Sequence, residues 1–453
     1  MKLERINNVN KIETIDNCIL YYIDGICDIK LFYSHFYNTI KENRDIRIDK
    51  LFPGISREIN YSEINNYLYE GEICIYRNNS YYHLDLVINP TRAITDSIVE
   101  PESPFQARDG FSDYIKTNIS LMRTRIKDER LNIESSIIGR RSKTRIALLS
   151  INDIHDNNIK NKIIEVLNKI DIDAVLSIDD VLAYFQKGHI FPVYQYVGSP
   201  EIASKRLYNG EFVLLIDRIS LAVILPINMA TTTKLPIDRV TIPFFTFLER
   251  LMIIICFIIS TIGLGLFCSF ITIDSDFLSL RWISILKGLE GDIAIPNFFQ
   301  IMIILSLFEL LYFITFRQSK ITLSSTIVLV GGLIIGENLS KSGIAGVIII
   351  TFTAIAFLSG FMVSTNITVL INISIIRVII LFLSSLFGLF GVLVGTIILL
   401  AFMYKENLFN VHYFYPFMPL NIKDLFGFFK SGSRVDMCYR DLNLHVRDRR
   451  RRK

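Results

Sequence analysis

The sequence predicts an α+β and α-helical membrane protein. It has an N-terminal cytoplasmic region of two similar α/β subdomains and a C-terminal transmembrane helical bundle. Three observations carry this prediction. From about Leu251 to Tyr404 the chain is mostly apolar, broken by short polar loops. The residues before about 240 are mixed, charged and aromatic, as in a water-exposed domain. Within that soluble half, Leu68-Tyr69-Glu70-Gly71-Glu72 and Leu207-Tyr208-Asn209-Gly210-Glu211 match in order and residue type.

The first subdomain is read over 1–105. It opens with an apolar strand, Ile19 to Ile23, before the turn Asp24-Gly25. A helix stops at Gly71, because glycine takes the positive φ of a helix C-terminus at little cost. The strands Ile73 to Tyr76 and Tyr82 to Ile88 follow, ending at Pro90. The second subdomain, 131–240, repeats the plan. Ile146 to Ile151 precede Asn152-Asp153, a helix stops at Gly210, and the strands Phe212 to Asp217 and Leu221 to Leu225 end at Pro226. Residues 106–130 are read as a connecting helix, Phe111 to Arg130. Its basic members Lys116, Arg123, Arg125, Lys127 and Arg130 suit an acidic partner or lipid headgroups.

The membrane domain is read over 241–404, with apolar segments Leu251–Ile273, Phe298–Phe316, Ile321–Leu339, Gly343–Val363 and about Ile367 to Tyr404. Leu251–Ile273 carries no charge, and more than 20 residues at 1.5 Å each cover roughly 30 Å of hydrocarbon. The loop Asp274 to Asn297 holds four acidic and two basic residues and Trp282, which suits an interface anchor. If both termini are cytoplasmic the crossings must be even in number. Either the long last tract turns near Ser384-Ser385, or Ile321–Leu339 crosses only in part.

Three features of these segments are candidates for function. Glu309 sits in mid-segment, where a carboxylate is expensive and needs a partner or water; a structural hydrogen bond and a pore or gate role both stand. Gly331, Gly332 and Gly336, with Gly388, Gly391 and Gly395, form small-residue faces that let helices approach closely, within one chain or between subunits. Glu337 and Asn338, with Lys341, end the glycine-rich segment and suit either a charged ring in an oligomer or an ordinary loop.

The remaining composition bounds the function. A net charge of +4 argues against a nucleic-acid partner. The tail 405–453 ends in a basic run, Arg447 to Lys453, which reads as a solvated end and favours a cytoplasmic side and anionic membrane lipid. The six cysteines show no C-x-x-C pair and read as reduced thiols, and Met1 to Asn10 lacks a signal-peptide core. No metalloprotease, phosphate-loop or nucleophile-elbow motif occurs, so neither an enzyme nor a cofactor or metal site is expected.

Several motifs point further. Asp109-Gly110-Phe111 leads to Thr117-Asn118-Ile119-Ser120-Leu121-Met122-Arg123-Thr124-Arg125-Ile126, and Gly139-Arg140-Arg141-Ser142-Lys143-Thr144 follows. Pro90-Thr91-Arg92 precedes Glu100, and Gly210 leads to Asp217. Phe308-Glu309-Leu310-Leu311 and Thr326 to Gly336 lie in the apolar half. By these residues the chain, from about Ile19 to Pro419, resembles the GerA family, the A subunits of spore germinant receptors and their sporulation relatives. It departs from the family pattern at Gln106-Ala107, where a Gly-Pro pair is usual, and at Arg218-Ile219-Ser220 after Asp217. The resemblance implies a non-enzymatic subunit of the spore inner membrane. Such subunits work with a transporter-like, nutrient-sensing B subunit and a lipoprotein C subunit, and are thought to oligomerise into an ion-conducting channel. Two other classes stand beside it: a small-molecule transporter with a cytoplasmic regulatory domain, and a non-conducting scaffold for a transporter-like partner.

Overall fold

A computed structural model describes residues 9–14, 18–23, 27, 29–43, 46–70, 72–86, 109–229, 243–274, 279–281, 293, 295–317, 344–364, 367–429, 440 and 444–448. The sequence candidates Arg92, Gly331, Gly332, Gly336, Glu337 and Asn338, and the segment Ile321–Leu339, lie outside them. The chain forms two compact units, one of Met1–Gly188, Val193–Ile227 and Met437–Lys453, the other of His189–Pro192 and Asn228–Asp436.

The first unit is built on two five-stranded sheets. One holds β1 (Val9–Thr14), β2 (Cys18–Ile23), β3 (Ser56–Ile59), β4 (Ile73–Arg77) and β5 (Ser80–Leu84) in the order β1-β2-β4-β5-β3. The other holds β6 (Leu131–Ile138), β7 (Thr144–Ile151), β8 (Gln195–Val197), β9 (Phe212–Ile216) and β10 (Ala222–Leu225) in the order β6-β7-β9-β10-β8. Every named pair is antiparallel. Each sheet therefore sends its third strand to the edge and pairs its second with its fourth. This shared topology is what the repeated sequence motif predicted.

Helices complete each sheet. α1 (Tyr37–Glu42) and α2 (Ile64–Glu70) lie between strands of the first. α3 (Ile115–Arg125) precedes the second, and α4 (Asn157–Asn168), α5 (Ile178–Gln186) and α6 (Pro200–Asn209) lie between its strands. The repeated motif makes the same bond twice. Glu72 N–H donates to the Tyr67 carbonyl at 3.0 Å, and Glu211 N–H donates to the Arg206 carbonyl at 3.2 Å. Each closes a helix end five residues back, and Gly210 between them takes φ 99°, as such an end requires.

Two expectations are corrected here. The helix read over Phe111–Arg130 is shorter, Ile115–Arg125, and is not a free connector. Its Ile115, Asn118, Leu121 and Met122 are buried, and it packs on α6, β7 and β9. The basic tail read over 405–453 is divided between the two units. Residues 437–453 group with the first unit, where Leu444 and Val446 are buried and Arg447 N–H donates to the Ile154 carbonyl at 3.0 Å. Arg440 Nε donates to the Tyr208 carbonyl at 2.7 Å.

The second unit is helical. α7 (Pro243–Ile258) runs through a π-helical turn, Ile259–Gly263, into α8 (Leu264–Thr272). α9 (Asn297–Arg317), α10 (Val347–Val363), α11 (Ile367–Lys405) and α12 (Ile422–Phe429) follow. Three helical stretches, Phe244–Thr272, Asn297–Ile314 and Thr368–Lys405, are long and apolar enough to cross a membrane, and Val347–Val363 is apolar but shorter. Their shared core gathers Leu264, Phe267, Cys268, Ile301, Ile304, Ile349 and Leu381.

α11 is not one rod. Gly388, at φ 59° and ψ −138°, interrupts it, and a Cβ at Gly395 would lie 3.0 Å from Ile380 Cγ1. Residues 15 apart in a straight helix are about 22 Å apart, so the two arms fold back on each other. The arms, 367–387 and 389–405, are about 31 and 25 Å long at 1.5 Å per residue. The turn expected near Ser384-Ser385 falls at Gly388, because only glycine accepts this backbone without strain. Asp274 Oδ2 accepts the Leu389 N–H at 2.6 Å and caps the second arm.

Four residues from the N-terminal half of the sequence belong to this helical unit. Ile190 N–H donates to Glu406 Oε1 at 2.7 Å, and His189 Nδ1 lies 3.2 Å from Glu406 Oε2. Asn372 Nδ2 donates to the Ile190 carbonyl at 2.6 Å. Phe191 stacks on Tyr413 and meets Phe414 edge-on.

Candidate functional site

Within the apolar helices, a small set of polar groups converges. Arg377, on the first arm of α11, is almost fully buried. Its Nε donates to the Ser260 carbonyl and its Nη2 to the Ser260 hydroxyl, both at 2.8 Å. Ser260 stands in the π-helical turn, where the ladder widens and a backbone carbonyl becomes free to accept from a side chain. Gly360 on α10 makes the room. A Cβ there would lie 3.2 Å from Ser260 Oγ and 3.5 Å from Arg377 Nη2. The guanidinium also lies 5.9 Å from the centre of the Phe357 ring, within cation–π range.

Glu309, on α9, faces this guanidinium. Arg377 Nη1 lies 3.8 Å from Glu309 Oε1, and the Ser374 hydroxyl, one turn before Arg377, donates to the same oxygen. Four elements thus meet at one charge pair: the π turn, α9, α10 and α11. A carboxylate or a guanidinium alone among apolar helices is costly, and the pairing offsets that cost. Glu309 has a defined partner here rather than an open face of like residues.

The glycines divide. Gly388 is the reversal of α11 and not a packing position; a Cβ there would stand 2.2 Å from Asp274 Oδ2. Gly391 and Gly395 lie against the first arm of the same chain. A Cβ at Gly391 would be 2.0 Å from the Leu383 carbonyl oxygen.

The motif residues of the first unit hold loops together. Phe111 is buried and its N–H donates to the Gly198 carbonyl at 2.9 Å, with Gly110 buried beside it. Asn118 clasps Ser112, accepting its N–H at 2.8 Å and donating to its carbonyl at 2.7 Å. Asp217 Oδ1 accepts the Ile115 N–H at 3.1 Å, at the start of α3. Arg125 pairs with Asp109, so this cation is engaged within the unit, and Arg123 is half-buried in the same last turn. Gly139, at φ 87°, opens the turn in which Ser142 Oγ accepts from Val175 N–H at 3.1 Å and from the Thr144 hydroxyl at 2.9 Å. Gly210 carries the helix end described above.

A profile of the Bacillus/Clostridium GerA spore germination proteins matches residues 5–440. The chain belongs to the GerA family. Among curated GerA-like relatives, Spore germination protein XA of Bacillus anthracis is 27% identical over 395 residues, covering 84% of this chain and 78% of that protein. The uncharacterized membrane protein YfkQ of Bacillus subtilis is 25% identical, covering 90% and 82%. Stage V sporulation protein AF of Bacillus subtilis is 23% identical, covering 98% and 92%. Among solved structures, the N-terminal domain of the A subunit of the Bacillus megaterium spore germinant receptor GerK3 is similar at 21% identity and TM-score 0.36, over 50% of this chain and 90% of that one.

In this GerA-family chain the sequence reading missed Arg377, Ser260, Ser374 and Gly360. For Arg377 the signal was present, since it is the one charged residue between Ile367 and Tyr404. Ser260 and Gly360 carry no such signal. A serine or glycine in an apolar helix is common, and only the π turn gives these two their place.

Proposed function

We propose that this GerA-family chain is the A subunit of a spore germinant receptor, a homo-oligomeric, channel-forming protein of the spore inner membrane. Its N-terminal unit faces the cytoplasm. It acts with a transporter-like B subunit and a lipoprotein C subunit to turn nutrient sensing into ion release, and it carries out no catalytic step. The family supports the receptor role. The observation that carries the conducting role is the Glu309–Arg377 pair, because ionisable groups inside membrane helices mark ion pathways and gates by default. The pair is asymmetric: the Arg377 side chain is 3% exposed and that of Glu309 23%. Arg377 is the fixed half, anchored on Ser260, and Glu309 the half that changes partner when the bundle opens.

The folded-back arms of α11 stand as two passes beside α7–α8, α9 and the shorter α10, and the glycine-rich stretch Ile321–Leu339, outside the described residues, is the second pore candidate. Two experiments test the reading. Spores lacking this chain should lose potassium release to at least one nutrient of an amino-acid, sugar and nucleoside panel; unchanged release across the panel overturns the receptor role. The purified full chain in a planar bilayer should conduct cations, with Glu309→Gln altering the open probability. A silent bilayer, with the protein shown to be inserted, leaves the scaffold reading in its place.

A further inference from the structure

We infer that α12 (Ile422–Phe429) lies in the headgroup–acyl boundary of the lipid bilayer as an interfacial helix, its outer face in contact with lipid. By sequence these residues fall in the basic tail after the last apolar tract, and nothing in the receptor reading requires them to touch the membrane. The inference rests on three observations within the helical unit.

The first is how the helix is held. Asn421 begins it, its carbonyl accepting the Leu425 N–H at 2.8 Å and its Oδ1 accepting the Asp424 N–H at 3.4 Å. Phe428 is buried, with the Arg250 guanidinium 5.4 Å from its ring centre, and Phe429 meets Phe247 at 5.5 Å. One side of α12 is thereby fastened to the opening turns of α7.

The second is what the other side carries. Ile422 is 61% exposed and Phe426, one turn later, 66%; Leu420, just before the helix, is 67% exposed. The acidic residue of the helix, Asp424, is turned inward and accepts from the Tyr415 hydroxyl. Phe428 faces inward while Ile422 and Phe426 face out, so this helix presents apolar side chains on its outer face as well, which suits an apolar surrounding.

The third is depth. α12 packs beside Phe247 and Arg250, and the uncharged run Leu251–Ile273 begins immediately after them. The contact is therefore at the end of a span and not at its middle. One turn before these contacts α7 exposes Phe244 and Phe245, so both helices show aromatic rings near this end of the span. Exposed aromatic side chains on two helices at a span end suit lipid, and suit the boundary layer, where amphipathic helices bury one face by about 5–10 Å.

The chain has one tryptophan, Trp282, so a single reporter can be moved. Full-length chain carrying Trp282→Phe and Phe426→Trp is reconstituted into phosphatidylcholine–phosphatidylglycerol vesicles whose acyl chains bear bromine either near the headgroup or near the methyl end. The expected result is loss of tryptophan emission that is greater with the shallow bromines than with the deep ones. Ile422→Trp in the same background should give the same ranking, and so keeps the test valid if the first variant fails to fold. Stronger quenching by the deep bromines overturns the boundary placement. Quenching by aqueous iodide without quenching by bromine places the face in water and overturns the proposal. Protection from both quenchers means that protein covers the face, a second copy or another subunit, and overturns it equally.

Discussion

Arg377 Nε donates to the backbone carbonyl of Ser260 at 2.8 Å, across 117 positions of sequence. The bond joins a charged side chain of one helix to a carbonyl that a regular helix would have used internally. A π turn in one helix and a guanidinium in another are thus two halves of one device. Neither is stable among apolar neighbours without the other.

Removing the cation is expected to cost more than removing the anion. Arg377→Ala strands Glu309 without its counter-charge and leaves the Ser260 carbonyl open, a loss of about 3–5 kcal/mol for a broken buried pair. Glu309→Gln keeps an acceptor for Ser374 and is expected to cost less. Thermal unfolding of the full chain in detergent checks the order. Equal melting temperatures for parent and Arg377→Ala would show that the pair holds nothing.

Gly388→Ala is expected to destabilise the helical unit by about 2 kcal/mol or more, since a side chain at this positive φ is strained and would displace the Asp274 cap. For Gly391→Leu the expected outcome is loss of the folded chain, not merely of the oligomer. Its side chain would meet the Leu383 backbone of the same molecule. Immunoblots of membranes decide: full accumulation of Gly391→Leu with an altered crosslinking ladder would place that face between subunits.

His155 gives the first unit an acid limit. Burial pushes its imidazole below the ordinary value of 6.5, with Lys160 and Arg447 acting the same way and the Ile151 carbonyl opposing. The folded state thus holds His155 neutral while the unfolded chain protonates. Stability is full above about 6.5 and falls as pH drops through that value toward the folded-state pKa. Melting of the full chain at about pH 7.5 and about pH 5.5 should show the drop, and His155→Gln should reduce it. An identical pH slope in the variant would assign the effect to another group.

Cys74 is fully buried between β2 and β5, and burial, with Glu72 adding to it, pushes its thiol far above the ordinary range. It should resist iodoacetamide in the native chain and react once the chain is unfolded, as read by mass spectrometry of the Cys74 peptide. Rapid native labelling would mean that this sheet opens locally.

The strands that the sequence revealed are those whose residues alternate or run apolar between glycine and proline, such as β4, β9 and β10. β1 and β6 escaped because Val9–Thr14 and Leu131–Ile138 mix polar residues without a regular period; each is defined by its pairing with β2 or β7. The repeated Gly-Glu was legible as a helix stop because it acts locally. Glu309 was legible as an anomaly of composition, but its partner was not named, since Arg377 lies on another helix and only folding brings the two together. The helical pattern over Phe111–Arg130 extends beyond the helix itself, Ile115–Arg125. Asp217 ends that ambiguity by accepting the Ile115 N–H from 102 residues away, which no local pattern shows.

His189–Pro192 has a consequence for how such chains are cut and recombined. A fragment ending near 228 would carry Phe191 without the aromatic rings it stacks on, and a fragment starting near 243 would leave Glu406 without the Ile190 N–H. The tail adds the converse, since 437–453 belong with the fragment that the cut removes. A chimera between two paralogues made by one crossover therefore breaks both sets of contacts. A viable exchange must move the four-residue insert with the helices and the tail with the sheets, so the heritable module here is a pattern of pieces and not a stretch of sequence.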